Sequence, residues 1–350
     1  MLSYASLLIA FFATAGAIPL FGALAERLSK EAPLEDSAKV IPRVAGAGIL
    51  SGAFLSFFYL QPAAAGPIAP LLAGIAAIVA ATWLHRRYVA RTYWDGYYPR
   101  AFAASMLMTL LVLLPEAKAL QPTYLGDLAL VAAAFLTPLA IAVLGRSAPT
   151  SRGLPLAIVL VQLVLLLVLS LVALPTSPVQ AGEDRLFQVA LPIIGALAAA
   201  LIYLCRTPWR SAGVISAGSG TRLSLGLVVA WGAMSLRTEE GPHVVALLWI
   251  LGIPIFELLR RCALVAVHHI RAAVSGRPHA RRMPVGPSPS AIFFCTALAG
   301  GAGIAFEHLP PASAWSIHAL VAVMLTYWIS AAIMQPWGRS GQDHVVDVPR

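Results

Sequence analysis

The chain has no asparagine at all, only three of its 24 Lys and Arg residues are lysine, and only three of its 350 residues are cysteine. The first absence excludes any catalytic motif built on an Asn side chain. The cysteines, Cys205, Cys262 and Cys295, lie in or beside apolar stretches with no C-x-x-C spacing, which excludes a disulfide framework and a zinc site and marks them as packing residues. Charge is scarce too: 11% of residues are charged against 59% hydrophobic, with a mean hydropathy of +0.81, which excludes a soluble domain of this length. Nucleic-acid binding is excluded because the basic residues are scattered among short loops and form neither a basic helix nor an aromatic platform. Glu257 is the only carboxylate set well within an apolar stretch, and no pair of matching broken helices recurs in the two halves, both of which weigh against a transporter or flippase.

What is present is a series of eleven apolar stretches: 3–24, 44–60, 66–84, 101–114, 125–144, 154–174, 187–204, 223–236, 244–259, 291–306 and 315–334. A hydrocarbon core of about 30 Å takes roughly 20 helical residues to cross. These stretches predict an all-α integral membrane protein of about 11 transmembrane helices. Placing the N-terminus outside and the C-terminus in the cytoplasm puts 21 of the 24 Lys and Arg residues on the inner side and leaves only Lys118, Arg185 and Arg237 outside. That asymmetry is the one expected when Lys and Arg resist translocation. The first stretch has no basic residue ahead of it and reads as a retained helix. Residues 1–335 are expected to form one polytopic domain and 336–350 a short cytoplasmic tail. Arg outnumbers Lys 21 to 3 and Ala and Leu dominate, which fits a high-GC bacterial genome, and the expected location is the bacterial inner (cytoplasmic) membrane.

Glu257 is followed by Arg260 and Arg261, at spacings that share a helical face, so its simplest reading is an ion pair near the inner end of its helix. A functional intramembrane acid is the other reading.

Three segments carry a resemblance. Residues 39–49 read KVIPRVAGAGI, residues 209–226 read WRSAGVISAGSGTRLSLG, and residues 248–261 read LWILGIPIFELLRR. Together they resemble the polyprenyl-phosphate N-acetylhexosamine-1-phosphate transferases, glycosyltransferase family 4, and in particular the branch that uses UDP-N-acetylglucosamine and undecaprenyl phosphate. There the corresponding segments are Lys-x-x-Pro-Arg-x-Gly-Gly, Met-Gly-Asp-x-Gly-Ser-x-x-x-Gly and Leu-Trp-x-x-x-x-Pro-x-x-Asp, and Glu257 falls on the last acid. The resemblance implies eleven helices, an outside N-terminus and transfer of a sugar-1-phosphate from a UDP-sugar to polyprenyl phosphate at the inner face. It also implies magnesium held by loop carboxylates, since two charged phosphates must approach one another.

Those carboxylates are missing. Where the family has Leu-Asp-Asp-Arg-Phe-Asp, this chain has Leu84, His85, Arg86, Arg87, Tyr88 and Val89. Where it has Asn-x-x-Asn-x-x-Asp-Gly-x-Asp-Gly-Leu, the polar positions hold Val143, Arg146, Pro149 and Arg152. Ser219 replaces the next Asp, and of a histidine cluster only His279 remains, in Arg277-Pro278-His279-Ala280-Arg281-Arg282. The family's acid positions thus align with His85, Arg86, Pro149, Arg152 and Ser219, and no catalytic or metal-binding residue is assigned. Because Arg binds phosphate without a metal, the candidate phosphate-binding residues are Arg43, Arg86, Arg87, Arg146, Arg152, Arg210, Arg222, Arg281 and Arg282, with Glu257 and His279 as further site candidates. The expectation is a degenerate homologue that binds lipid phosphate or assists a partner in cell-envelope glycan synthesis. No cofactor is expected, magnesium entering only if the family activity is retained on a metal site rebuilt from other inner acids. Membrane lipid, polyprenyl phosphate or a UDP-sugar is the expected partner, with homo- or hetero-dimerisation open and nucleic acid excluded.

Overall fold

The computed structural model describes residues 2–30, 44–60, 65–89, 97–120, 125–144, 153–173, 181–205, 218–237, 244–275, 289–307 and 313–333. Among these residues the regular structure is entirely helical. In chain order the helices are α1 (Leu2–Lys30), α2 (Val44–Leu60), α3 (Ala65–Val89), α4 (Tyr97–Leu120), α5 (Leu125–Leu144), α6 (Leu154–Ala173), α7 (Ala181–Cys205), α8 (Ser219–Arg237), α9 (Val244–Ser275), α10 (Pro289–Glu307) and α11 (Ser313–Ile333). Each coincides with one apolar stretch of the sequence. Four contain segments long and apolar enough to cross a membrane: Ala5–Leu24, Gly126–Leu144, Leu154–Val172 and Arg185–Leu204. Shorter apolar segments lie in α2, α3, α10 and α11.

The helices outrun the apolar stretches, which corrects the placement of several basic residues in loops. Arg27 and Lys30 end α1, Arg86 and Arg87 lie in α3, and Arg222 lies in the first turns of α8. Arg260, Arg261 and Arg271 all belong to α9, which at 32 residues is about 48 Å long at 1.5 Å per residue. A helix keeps its backbone bonded beyond the apolar zone, so the chain need not stop where hydropathy falls.

The middle of the molecule is α8. It packs against α2, α3, α4, α5, α6, α7 and α9, and nearly every residue from Gly220 to Leu236 is buried. Shielded in this way, α8 can carry Thr221, Arg222, Ser224 and Ser235 where a lipid-facing helix would not. Outside this ring, α1 lies on α2 and α7, α10 on α9 and α6, and α11 on α9. One apolar core runs through all eleven helices.

In lipid there is little hydrophobic drive between helices, so close backbone approach and hydrogen bonds hold them. Gly226 of α8 sits on Pro138 of α5 so tightly that an added Cβ would lie 2.5 Å from the Pro138 Cα. Gly195 of α7 meets the Leu7 carbonyl of α1 in the same way. Proline interrupts α1, α3, α4, α5, α7 and α9. Each such ring leaves the carbonyl four residues earlier without its helical donor. Two of these carbonyls are taken up by neighbouring helices. Tyr203 of α7 donates to Ala15 O at 2.7 Å, opposite Pro19. Gln162 of α6, fully buried, donates to Ile250 O at 3.0 Å, opposite Pro254. In hydrocarbon such freed groups must find a partner.

Candidate functional site

The segments that carry the resemblance meet at one end of the bundle. Gly46, in the first turn of α2, abuts Thr221 of α8, and Gly220 of α8 abuts Thr82 near the end of α3, in both cases closely enough to forbid a Cβ. Arg222 reaches from α8 to the last turn of α5, where its Nη1 donates to Ala142 O at 3.4 Å. Arg261 reaches from α9 to the next carbonyl, its Nη1 donating to Val143 O at 3.4 Å. The last four carbonyls of a helix have no partner within it, and that end carries a partial negative charge. Two arginines from different helices therefore cap α5 side by side.

At the same end lies Glu257, wholly buried in α9. Arg260 grips it in bidentate fashion, Nε to Oε2 at 2.7 Å and Nη2 to Oε1 at 2.8 Å. The Nε of Arg261 donates to Oε1 at 2.6 Å, and the hydroxyl of Tyr327, from α11, donates to Oε2 at 3.0 Å. These four donors use all the acceptor sites a carboxylate offers. The ion-pair reading of Glu257 thus holds for both arginines at once. Next to it, the indole of Trp328 donates to Phe256 O at 3.1 Å, so α11 is tied to α9 by two consecutive side chains. Arg260 is itself buried, and its Nη1 has no hydrogen-bond partner among the described residues. Among the described residues, the guanidiniums of Arg222, Arg260 and Arg261 gather at this end beside Glu257.

The other sequence candidates divide as follows. Ser219 is half-buried at the start of α8. His85, Arg86 and Arg87 lie in α3, where the backbone alone is described. Arg43, Arg146, Pro149, Arg152, Arg210, His279, Arg281 and Arg282 lie outside the described residues. The cysteines need one correction: Cys262 is exposed on α9 and does not pack, whereas Cys295 is half-buried against the core. Cys205 ends α7.

The opposite end has its own polar ties. Arg237 of α8 pairs with buried Asp127 of α5 at 3.3 Å. Glu116 of α4 lies beside Arg185 of α7 and the indole of Trp231.

A magnesium ion of the kind the resemblance implies needs several oxygen donors, chiefly carboxylates, in near-octahedral array. Among the described residues no three His, Cys, Asp or Glu side chains come together, and both Glu257 oxygens are already taken. The described residues do not fit such an ion. Tyr327 and Gln162 were not singled out in the sequence; Tyr327 stands 70 residues from its partner and Gln162 88 residues from its own, so no local spacing could have marked either. Compared with known proteins, the chain matches no family model, and no curated protein matches it significantly. Fold and site together define a helical membrane protein with an Arg-rich polar cluster at one end of its bundle.

Proposed function

We propose that the protein is a multi-pass protein of the bacterial inner membrane, with eleven transmembrane helices, its N-terminus outside and its C-terminus in the cytoplasm. In this reading it is a degenerate homologue of the polyprenyl-phosphate sugar-1-phosphate transferases that binds polyprenyl phosphate, or a UDP-sugar, at its inner face without transferring the sugar. The observation that supports it is the convergence at one end of the bundle. The segments resembling that family pack on one another there, and Arg222, Arg260 and Arg261 gather beside Glu257. A cluster of guanidiniums of this kind suits a phosphate, which Arg binds through paired, charge-assisted hydrogen bonds. The one acid kept from the family's pattern, Glu257, is held by Arg260, Arg261 and Tyr327 and is not free to bind a metal. Such a protein would serve lipid-linked glycan assembly as a carrier or as one member of a homo- or hetero-dimer.

The test uses the full chain in lipid nanodiscs with undecaprenyl phosphate, UDP-N-acetylglucosamine and magnesium. No UMP is expected above the protein-free blank. Undecaprenyl phosphate is expected to bind, and Arg222→Gln to weaken that binding about tenfold, the size of one charged hydrogen bond. UMP release would instead favour an active transferase with a rebuilt metal site, and absence of lipid-phosphate binding would remove the proposal.

A further inference from the structure

Helices α2 and α3 follow one another across a short connection but lean apart, α2 toward α1 and α7, α3 toward α4 and α8. Between them opens an apolar crevice. Phe54 and Phe57 of α2, Ile68 and Leu72 of α3 and Pro192 of α7 line it, and α8 forms its floor. Toward the arginine cluster, the contacts of Gly46 with Thr221 and of Gly220 with Thr82 draw both helices onto α8 and close it. It opens sideways instead. At its rim Phe54 stacks on Phe58, which is exposed on the outer face of α2 next to Leu55 and Tyr59. A wall of this kind faces hydrocarbon in a membrane-embedded helix.

One polar side chain lies in this lining. Ser224 of α8 is buried, and its hydroxyl has no hydrogen-bond partner among the described residues. Helical hydroxyls usually bond back to the carbonyl four residues earlier, as Thr82, Thr137 and Thr296 do here. Ser224 does not, and an unpaired hydroxyl away from water is unfavourable. Its site calls for an acceptor supplied from the crevice.

We propose that the crevice holds one acyl chain of a membrane glycerophospholipid, with the ester carbonyl accepting a hydrogen bond from Ser224. Ser224 lies five residues into α8, about 8 Å along the helix axis. At that depth an acyl lipid offers a carbonyl immediately followed by a long apolar chain. A polyisoprenoid carries no acceptor between its phosphate and its tail and leaves Ser224 unpaired. The bound chain takes the place of direct packing between α2 and α3. This inference rests on membrane embedding of the helices and is independent of phosphate binding at the arginine cluster.

Its test is photo-crosslinking of the full chain in nanodiscs doped with phosphatidylglycerol bearing a diazirine in one acyl chain, with the labelled positions mapped by peptide mass spectrometry. Labelling at Phe54, Phe57, Leu72 and Pro192 is expected to exceed that at Leu298 and Val321, which are exposed on α10 and α11 and report ordinary bilayer contact. Ser224→Ala is expected to lower crevice labelling about fivefold, the effect of one neutral hydrogen bond. Ala53→Trp, which fills the crevice from its wall, is expected to bring it down to the level of Leu298. A diazirine-bearing polyprenyl phosphate is expected to label the crevice no more than the α10 and α11 positions. Wild-type crevice labelling no higher than at Leu298, labelling insensitive to both substitutions, or labelling by the polyprenyl probe alone would each overturn the proposal. If neither variant assembles, the wild-type ratio decides.

Discussion

Glu257 accepts four hydrogen bonds inside the bundle, and three come from residues three and four positions along its own helix. That part was legible in the sequence, because spacing on a helix fixes which side chains share a face. The fourth was not, because Tyr327 comes from α11 and only helix packing brings it there. A buried ion pair has its value mainly in what its breaking exposes. Glu257→Ala leaves Arg260 buried without its counter-charge and is expected to destabilise the protein by about 3–5 kcal/mol, measured by thermal unfolding in detergent. Tyr327→Phe removes one bond to a charged group and is expected to lower stability by about 1–2 kcal/mol. Hydrogen exchange should locate that loss in α11, whose ties to α9 it weakens. Uniform exchange across the bundle would show instead that α11 does not depend on the bond.

At the scale of the element, prolines are plain in the sequence, but what repairs them is not. Pro254 and Gln162 illustrate the point: the ring frees Ile250 O in α9, and the amide that meets it comes from α6. Gln162→Leu is expected to destabilise by about 1–3 kcal/mol through the unpaired carbonyl. Pro254→Ala restores the helical donor, so in its background the same substitution should have a much smaller effect. Equal effects of Gln162→Leu in the two backgrounds, in a double-mutant cycle on unfolding temperature, would rule this account out. Glycine acts likewise. Gly226 could be read as punctuation near a helix end, whereas its place against Pro138 shows a backbone-to-backbone contact between α8 and α5. Gly226→Ala must push those helices apart and is expected to lower stability by about 1–3 kcal/mol.

For the whole molecule, charge asymmetry and packing speak to different questions. The proposed orientation places 21 of 24 Lys and Arg residues inside, and the packing of α5, α8 and α9 gathers Arg222, Arg260 and Arg261 at one end of α5 and Arg237 at the other. In a chain whose three cysteines are replaced, Lys118→Cys is expected to react with a membrane-impermeant maleimide in intact cells and Arg146→Cys only after lysis. The reverse pattern would invert the topology.

Composition and hydropathy by themselves determined that this is a helical membrane chain and where its helices lie, because burial in hydrocarbon forces long apolar stretches whatever their neighbours. Local spacing likewise pointed to an ion pair of Glu257 with Arg260 or Arg261, and the absence of asparagine was visible by inspection. Only the tertiary structure decided that α8 lies at the centre, that Arg222 and Arg261 cap α5 together, and that α2 and α3 part to leave a crevice above Ser224. The reason is physical: lipid-facing and protein-facing sides of a membrane helix are both apolar, so hydropathy marks the helix but not its partners. Partner choice rests on small residues, freed carbonyls and a few buried polar groups, whose meaning appears only when the helices are brought together.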